Sequence, residues 1–218
     1  MEKNISTIIF DFGNVLMDLD IPGFHGRMEE LTGLNQADEM TELDFHALAY
    51  EQGQIGTELF INHVIRVSKR SVQAREIIDC WNSMLLGIQP RTLHLLRDLK
   101  THYRTFILSN TNPLHIEWVY QHLRTVHGIV DFENEFLNGA FYSHQLNMIK
   151  PDPEIYFQVQ KQVATPADQI LFLDDLERNV LAAREAGWNA VVHPPGTDLE
   201  STLSDYISIP QMKHDGTG

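Results

Sequence analysis

The stretch Thr7-Ile8-Ile9-Phe10-Asp11-Phe12-Gly13-Asn14-Val15-Leu16 decides how the rest of the chain is read. Residues 7–10 are β-branched or aromatic without polar alternation, and the run stops on an acid. A short unalternating run of this kind predicts a strand buried on both faces, the pattern of a parallel sheet, with Asp11 at its carboxyl end. Working outward, Thr105-Phe106-Ile107-Leu108, Ile170-Leu171-Phe172-Leu173 and Ala190-Val191-Val192 repeat the pattern, and Phe141-Tyr142 marks the end of a further strand. Helical periodicity falls between them. Residues 91–100 follow Pro90, well placed at a helix start, and 115–123, 153–163 and 177–186 follow, the last closed by Gly187. Strands alternating with helices predict an α/β chain with a parallel sheet covered on both faces.

Residues 21–88 break this alternation. Apolar residues recur there at helical spacing (Leu43, Ala47, Tyr50; Leu59, Ile61, Val64; Ile77, Ile78, Trp81, Leu85), punctuated by Gly23, Gly33, Gly53, Gly56 and Gly87. The segment reads as several helices without a strand. The expected organisation is therefore a core of residues 1–20 and 88–218 with a smaller helical domain, 21–87, inserted after the first strand.

The chain has 218 residues, 43% hydrophobic and 21% charged, enough to bury a core and too apolar for a disordered chain. A formal charge of −14 argues against general nucleic-acid or anionic-membrane binding, although a bound metal can invert that field locally. A single cysteine, Cys80, cannot form an internal disulfide. Neither a signal peptide nor a run long enough to span a membrane is visible, so a cytoplasmic location is expected. The tail, Lys213 to Gly218, is polar and expected to fray.

Chemistry-bearing residues collect after the strands: Asp11, then Ser109-Asn110-Thr111-Asn112, then Asp174-Asp175. Open α/β sheets bind ligands outside these carboxyl ends. Three carboxylates brought together need a cation or a proton, and oxygen ligands suit Mg²⁺. Asp174-Asp175 also reads as a helix N-cap with first-turn charge. Lys150, held extended by Pro151, can direct an ammonium into the cluster.

In this order, residues 8–16, Leu108-Ser109-Asn110-Thr111, Lys150-Pro151 and Leu173-Asp174-Asp175 resemble the four motifs of the haloacid dehalogenase (HAD) superfamily, over about residues 6 to 195. The resemblance implies a Rossmann-like core with a helical cap. Glu51-Gln52-Gly53-Gln54-Ile55 is similar to a Glu-x-Gly-x-Ile stretch of such caps. It further implies an Asp11 nucleophile forming an aspartyl-phosphate. Mg²⁺ would be held by Asp11, the Gly13 carbonyl and Asp175, with Asp174 as a ligand or behind one. Ser109 and the Asn110 amide would hold the phosphoryl group, and Lys150 would offset its charge. The expected activity is hydrolysis of a small phosphorylated metabolite, such as a sugar phosphate.

One position departs from the family pattern. Most phosphatases of the superfamily carry a second Asp two residues after the nucleophile, as general acid and base; this chain has Gly13. That group is worth roughly 10²–10⁴ in rate, about 3–5 kcal/mol. Asp-Phe-Gly-Asn-Val resembles a subgroup that includes bacterial glucose-1-phosphate phosphatases, whose anomeric leaving group needs less protonation. Asp18, Asp20 and His25 are candidate substitutes for the missing acid. A 2-haloacid dehalogenase or a catalytically weak binder of the same fold is the alternative. Phe24, His25, Phe45, His46 and Tyr50 are candidate specificity residues. Ser143-His144, read as extended, would point to opposite faces, and Cys80 reads as a buried small hydrophobe.

Overall fold

The computed structural model describes residues 4–34 and 40–209; the tail expected to fray, and the first three residues, lie outside the described residues. Strand β1 (Thr7–Phe10) lies at the centre of a five-stranded parallel sheet. Its neighbours are β2 (Arg104–Ser109) and β4 (Ile170–Asp174), and β3 (Gly139–Tyr142) and β5 (Asn189–Val192) form the edges, giving the order β3-β2-β1-β4-β5. Phe10 pairs with Ile107 on one side and with Leu173 on the other. One residue further along β1 and β4, and two along β2, Asp11, Asp174 and Ser109 therefore emerge on the same edge.

The absence of alternation in β1 has a direct cause. Ile8 and Phe10 join Ile107, Leu171 and Leu173 in the core on one face. Ile9 joins Phe106, Leu108, Ile170 and Phe172 on the other. The first face packs against α5 (Pro90–Lys100) through Leu93, Leu96 and Leu99, and α6 (Pro113–His127), through Leu114, Val119 and Leu123, and the short α7 (Phe132–Phe136) join the same core. The second is covered by α9 (Pro153–Val163), through Ile155, Tyr156 and Val159, and by Val180 and Ala183 of α10 (Glu177–Glu185). This is a Rossmann-like three-layer α/β fold.

The insert after β1 is helical, as its periodicity predicts: α1 (Ile21–Thr32), α2 (Met40–Glu51), α3 (Thr57–Val67) and α4 (Ala74–Asn82). Aromatic contacts knit it together. Trp81 meets Phe24 and Phe60 edge-on at ring separations of 5.5 and 4.7 Å, and Phe60 stacks on Tyr50 at 4.7 Å. The chain enters and leaves side by side: Leu19 bridges Leu85, the Asp20 amide donates to the Met84 carbonyl, and the Leu86 amide donates to the Asp18 carbonyl.

Three local expectations need correction. Ser143-His144 is not extended, because the chain turns at the end of β3 into a short helix, α8 (Ser143–Leu146). Both side chains consequently reach the Thr111 carbonyl, each at 3.0 Å. Cys80 is half-buried, since Ile77 and Trp81 hold the inward face of α4 and leave it at the margin. The α6 helix runs from Pro113 to His127, longer than 115–123, because Pro113 follows an Asn112 cap and Gly128 closes it in the left-handed conformation.

Candidate active site

The carboxyl edge of the sheet gathers one cation and three carboxylates. Asp11, Asp174 and Asp175 each offer an oxygen within 4.8 Å of the others. Lys150 Nζ donates to Asp11 Oδ1 at 2.8 Å, to Asp174 Oδ2 at 2.6 Å and to the Leu108 carbonyl at 2.8 Å. Its backbone is anchored too. The Lys150 amide donates to Asn110 Oδ1 and Asn110 Nδ2 donates to the Lys150 carbonyl, both at 2.9 Å. The Lys150–Pro151 peptide is cis.

The two neighbouring aspartates differ in what remains free. Asp174 is fully buried, and both its oxygens accept from the protein: Oδ1 from the Leu176 amide and Asn179 Nδ2, Oδ2 from Lys150 and Asn179 Nδ2. Asp175 is half-buried and accepts one bond, at Oδ2, from Asn14 Nδ2 at 2.9 Å. Asn14 reaches it from a left-handed backbone, φ 57°, a conformation Asn tolerates better than most residues. Ser109 is buried at the end of β2, and its hydroxyl has no hydrogen bond among the described residues.

Burial raises the Asp11 carboxyl to about 6; Lys150 pulls it down and Asp174 pushes it up. For Lys150, burial acts against the charge, but Asp11 and Asp174 outweigh it and hold the ammonium above its ordinary range. A fourth carboxyl, Glu51, lies at the end of α2 in the insert. Burial, reinforced by the negative charge of Asp11, lifts Glu51 to about 7. The donor set, all oxygen and net negative, suits a hard divalent cation such as Mg²⁺.

Residues 5–187 match the family described as haloacid dehalogenase-like hydrolase. The chain belongs to the haloacid dehalogenase-like hydrolases. The hydrolase is 27% identical to the D-ribitol-5-phosphate phosphatase of Bacteroides thetaiotaomicron over 210 residues, 94% of this chain and 99% of that one. A solved HAD family enzyme from the same organism, in complex with magnesium and inorganic phosphate, superposes with a TM-score of 0.83 at 27% identity, covering 91% of this chain and 99% of that chain. A solved dehalogenase superposes with a TM-score of 0.62 at 16% identity, covering 94% of this chain and 98% of that chain; this is a likeness of fold alone. Among the described residues of the hydrolase no helix is long and apolar enough to cross a membrane.

The structure brings Asp11, Ser109, Asn110, Lys150, Asp174 and Asp175 to one edge, and it gives the candidate replacement acids contacts elsewhere. Asp18 is exposed and accepts from Gln89 Nε2 at 3.5 Å. Asp20 caps α1 and pairs with Arg27 at 3.0 Å. His25 packs its ring on Phe24. Of the candidate specificity residues, Phe24 and Tyr50 are enclosed in packing and Phe45 is 68% exposed, while His46 stacks on His63 at 3.2 Å. Tyr50 links the insert to the core, its hydroxyl accepting from the Leu114 amide. Sequence reasoning quoted Asn14 and Glu51 only as members of motifs, without a role of their own, and did not single out Asn179. Asn179 follows Asp174 by five residues, in the first turn of α10, a spacing that carries a weak signal.

Proposed function

We propose that this hydrolase is a Mg²⁺-dependent phosphatase of a small sugar or polyol phosphate, acting through an aspartyl-phosphate on Asp11. The observation that carries the reading is the Asp11 carboxylate, held on Lys150 at 2.8 Å beside two further carboxylates at the open edge of the sheet. The relative that acts on ribitol 5-phosphate and the solved enzyme holding magnesium and phosphate support it. The acidic cluster also separates it from halide release, which the superfamily's dehalogenases perform without a metal.

The roles follow from what each atom has free. Asp11, the Gly13 carbonyl and Asp175 would hold Mg²⁺, which when bound offsets charge between nucleophile and phosphate. Asp174, with every oxygen occupied by protein donors, positions Lys150. The Asp11 oxygen that Lys150 does not hold attacks phosphorus while Lys150 neutralises charge on the other and on the phosphoryl group. The Ser109 hydroxyl and the Asn110 amide hold phosphoryl oxygens. Residues 21–87 act as a cap over a core of 1–20 and 88–218, hinged at the paired segments joined by the Leu19–Leu85 bridge.

The test is phosphate release from ribitol 5-phosphate, sugar phosphates and p-nitrophenyl phosphate, with Mg²⁺ or with EDTA, by the wild type and Asp11→Asn. Release that needs the metal and disappears in the variant is the expected result. A folded, metal-loaded protein that releases no phosphate from any of them overturns the reading.

A further inference from the structure

The phosphatase reading leaves a proton without a carrier. A sugar or polyol phosphate expels an alkoxide, which needs an acid, and Gly13 has no side chain to supply one. The space there is already taken: a Cβ on Gly13 would lie 2.6 Å from Cδ1 of Leu19. Asp18 accepts from Gln89, Asp20 pairs with Arg27, and His25 packs its ring on Phe24.

Glu51 is a carboxyl that the insert carries where it docks on the core. It ends α2, is half-buried, and its carboxyl has no hydrogen bond or ion pair among the described residues. Asp11 is the charge that acts on it. Its backbone is fastened to the core beside the phosphoryl-binding loop. Ser143 Oγ donates to the Glu51 carbonyl at 2.6 Å and itself accepts from the Thr111 amide at 2.9 Å, two residues after Ser109. The turn that follows fits just as closely. Gly53 has φ 69°, and a Cβ there would lie 2.2 Å from the His144 carbonyl oxygen. The insert thus docks by its backbone, and the residue carrying this unpaired carboxyl is fastened beside the phosphoryl-binding loop, within reach of the charge of Asp11.

Resting on that phosphatase reading, we propose that Glu51 is the general acid and base of the hydrolase, doing from the helical insert what the residue at Gly13 cannot. In the first step an Asp11 oxygen bonds to phosphorus, the bond from phosphorus to the leaving oxygen breaks, and the Glu51 proton passes to that oxygen. In the second, Glu51 as carboxylate takes a proton from water as the water oxygen bonds to phosphorus. The bond from phosphorus to Asp11 breaks, and inorganic phosphate leaves with both carboxyls restored. Carrying the acid on the insert couples proton transfer to docking of the insert on the core.

The test compares leaving groups. Glu51→Gln keeps the shape and removes the transferable proton. With ribitol 5-phosphate, kcat falls about 10²–10⁴-fold. With p-nitrophenyl phosphate, whose leaving group needs no proton, Glu51→Gln gives a burst of nitrophenolate, followed by slow turnover. A phosphoryl adduct on Asp11 becomes visible by intact mass. Gly13→Asp in the Glu51→Gln background restores part of the activity, with Leu19 giving way at its methyl. A purely structural role for Glu51 predicts equal losses on both substrates, no adduct and no rescue, and that result overturns the proposal. So does wild-type activity of Glu51→Gln on ribitol 5-phosphate. If the wild type itself releases no phosphate, the phosphatase reading fails instead.

Discussion

Asp174 and Asp175 are adjacent in sequence yet differ in burial and in the bonds each has spare. Asp174 is fully enclosed and shares Lys150 with Asp11. Removing one member of a buried ion pair strands its partner and costs about 3–5 kcal/mol. Asp174→Ala should therefore lower the thermal midpoint by roughly 6–20 °C, at about 2–4 °C per kcal/mol for a chain of this size. Asp175 is half-buried with one protein bond, so Asp175→Asn should leave the midpoint within a few degrees and abolish activation by Mg²⁺. Thermal melts and a metal titration on the two variants check this. Equal destabilisation by both would show that their roles are not divided.

At the scale of elements, the insert and the core meet through a small buried network. His115, in the first turn of α6, accepts from Asn112 Nδ2 at Nδ1 (3.2 Å), and its Nε2–H donates to the Trp81 carbonyl of α4 (3.3 Å). Burial holds this imidazole neutral, its pKa pushed from 6.5 to about 4. The unfolded chain thus binds a proton that the folded one refuses. Stability from this group is complete above about pH 6.5 and is lost progressively as the pH falls toward 4, on the order of 3 kcal/mol in all. Asp11 and Glu51, whose carboxyls are raised to about 6 and about 7, act in the opposite sense over this range, so the loss is read in denaturant unfolding at pH 7 and pH 5 as the difference between the wild type and His115→Gln, which keeps a donor but does not titrate. His122, His144 and His193 are shifted in the same direction and keep some slope in that variant. An undiminished slope in His115→Gln would place the acid sensitivity elsewhere. A second expectation concerns the docked turn. Gly53→Ala must move either the turn or the His144 carbonyl, so kcat on ribitol 5-phosphate should drop tenfold or more, roughly the effect of an ångström-scale misplacement. A steady-state assay with wild-type kcat would show that this turn does not position chemistry.

For the molecule as a whole, the sheet was legible in the sequence because its central strands are buried on both faces and leave uninterrupted apolar runs. The edge strand β3 was only half legible. It opens Gly139-Ala140 and is half-buried, so composition marks only its end at Phe141-Tyr142. The candidate site was legible where residues end strands, as at Asp11, Ser109 and Asp174, since strand ends converge by topology. It was illegible where a role comes from an approach across the fold: Asn14 to Asp175 spans 161 residues, and Glu51 depends on how the insert docks. Charge ties these parts together. Three carboxylates against one ammonium leave two negative charges at the sheet edge, in a chain whose formal charge is already −14. One divalent cation balances them. The folded chain should therefore bind Mg²⁺ and the unfolded chain should not, so the metal stabilises by mass action, about 2.7 kcal/mol at a hundred times the dissociation constant. Expressed as a thermal midpoint this is roughly 5–11 °C, reversed by EDTA and missing in Asp175→Asn. A midpoint that ignores Mg²⁺ in a folded wild type would mean that Lys150 alone balances the site, and the metal would then have no place in the reaction.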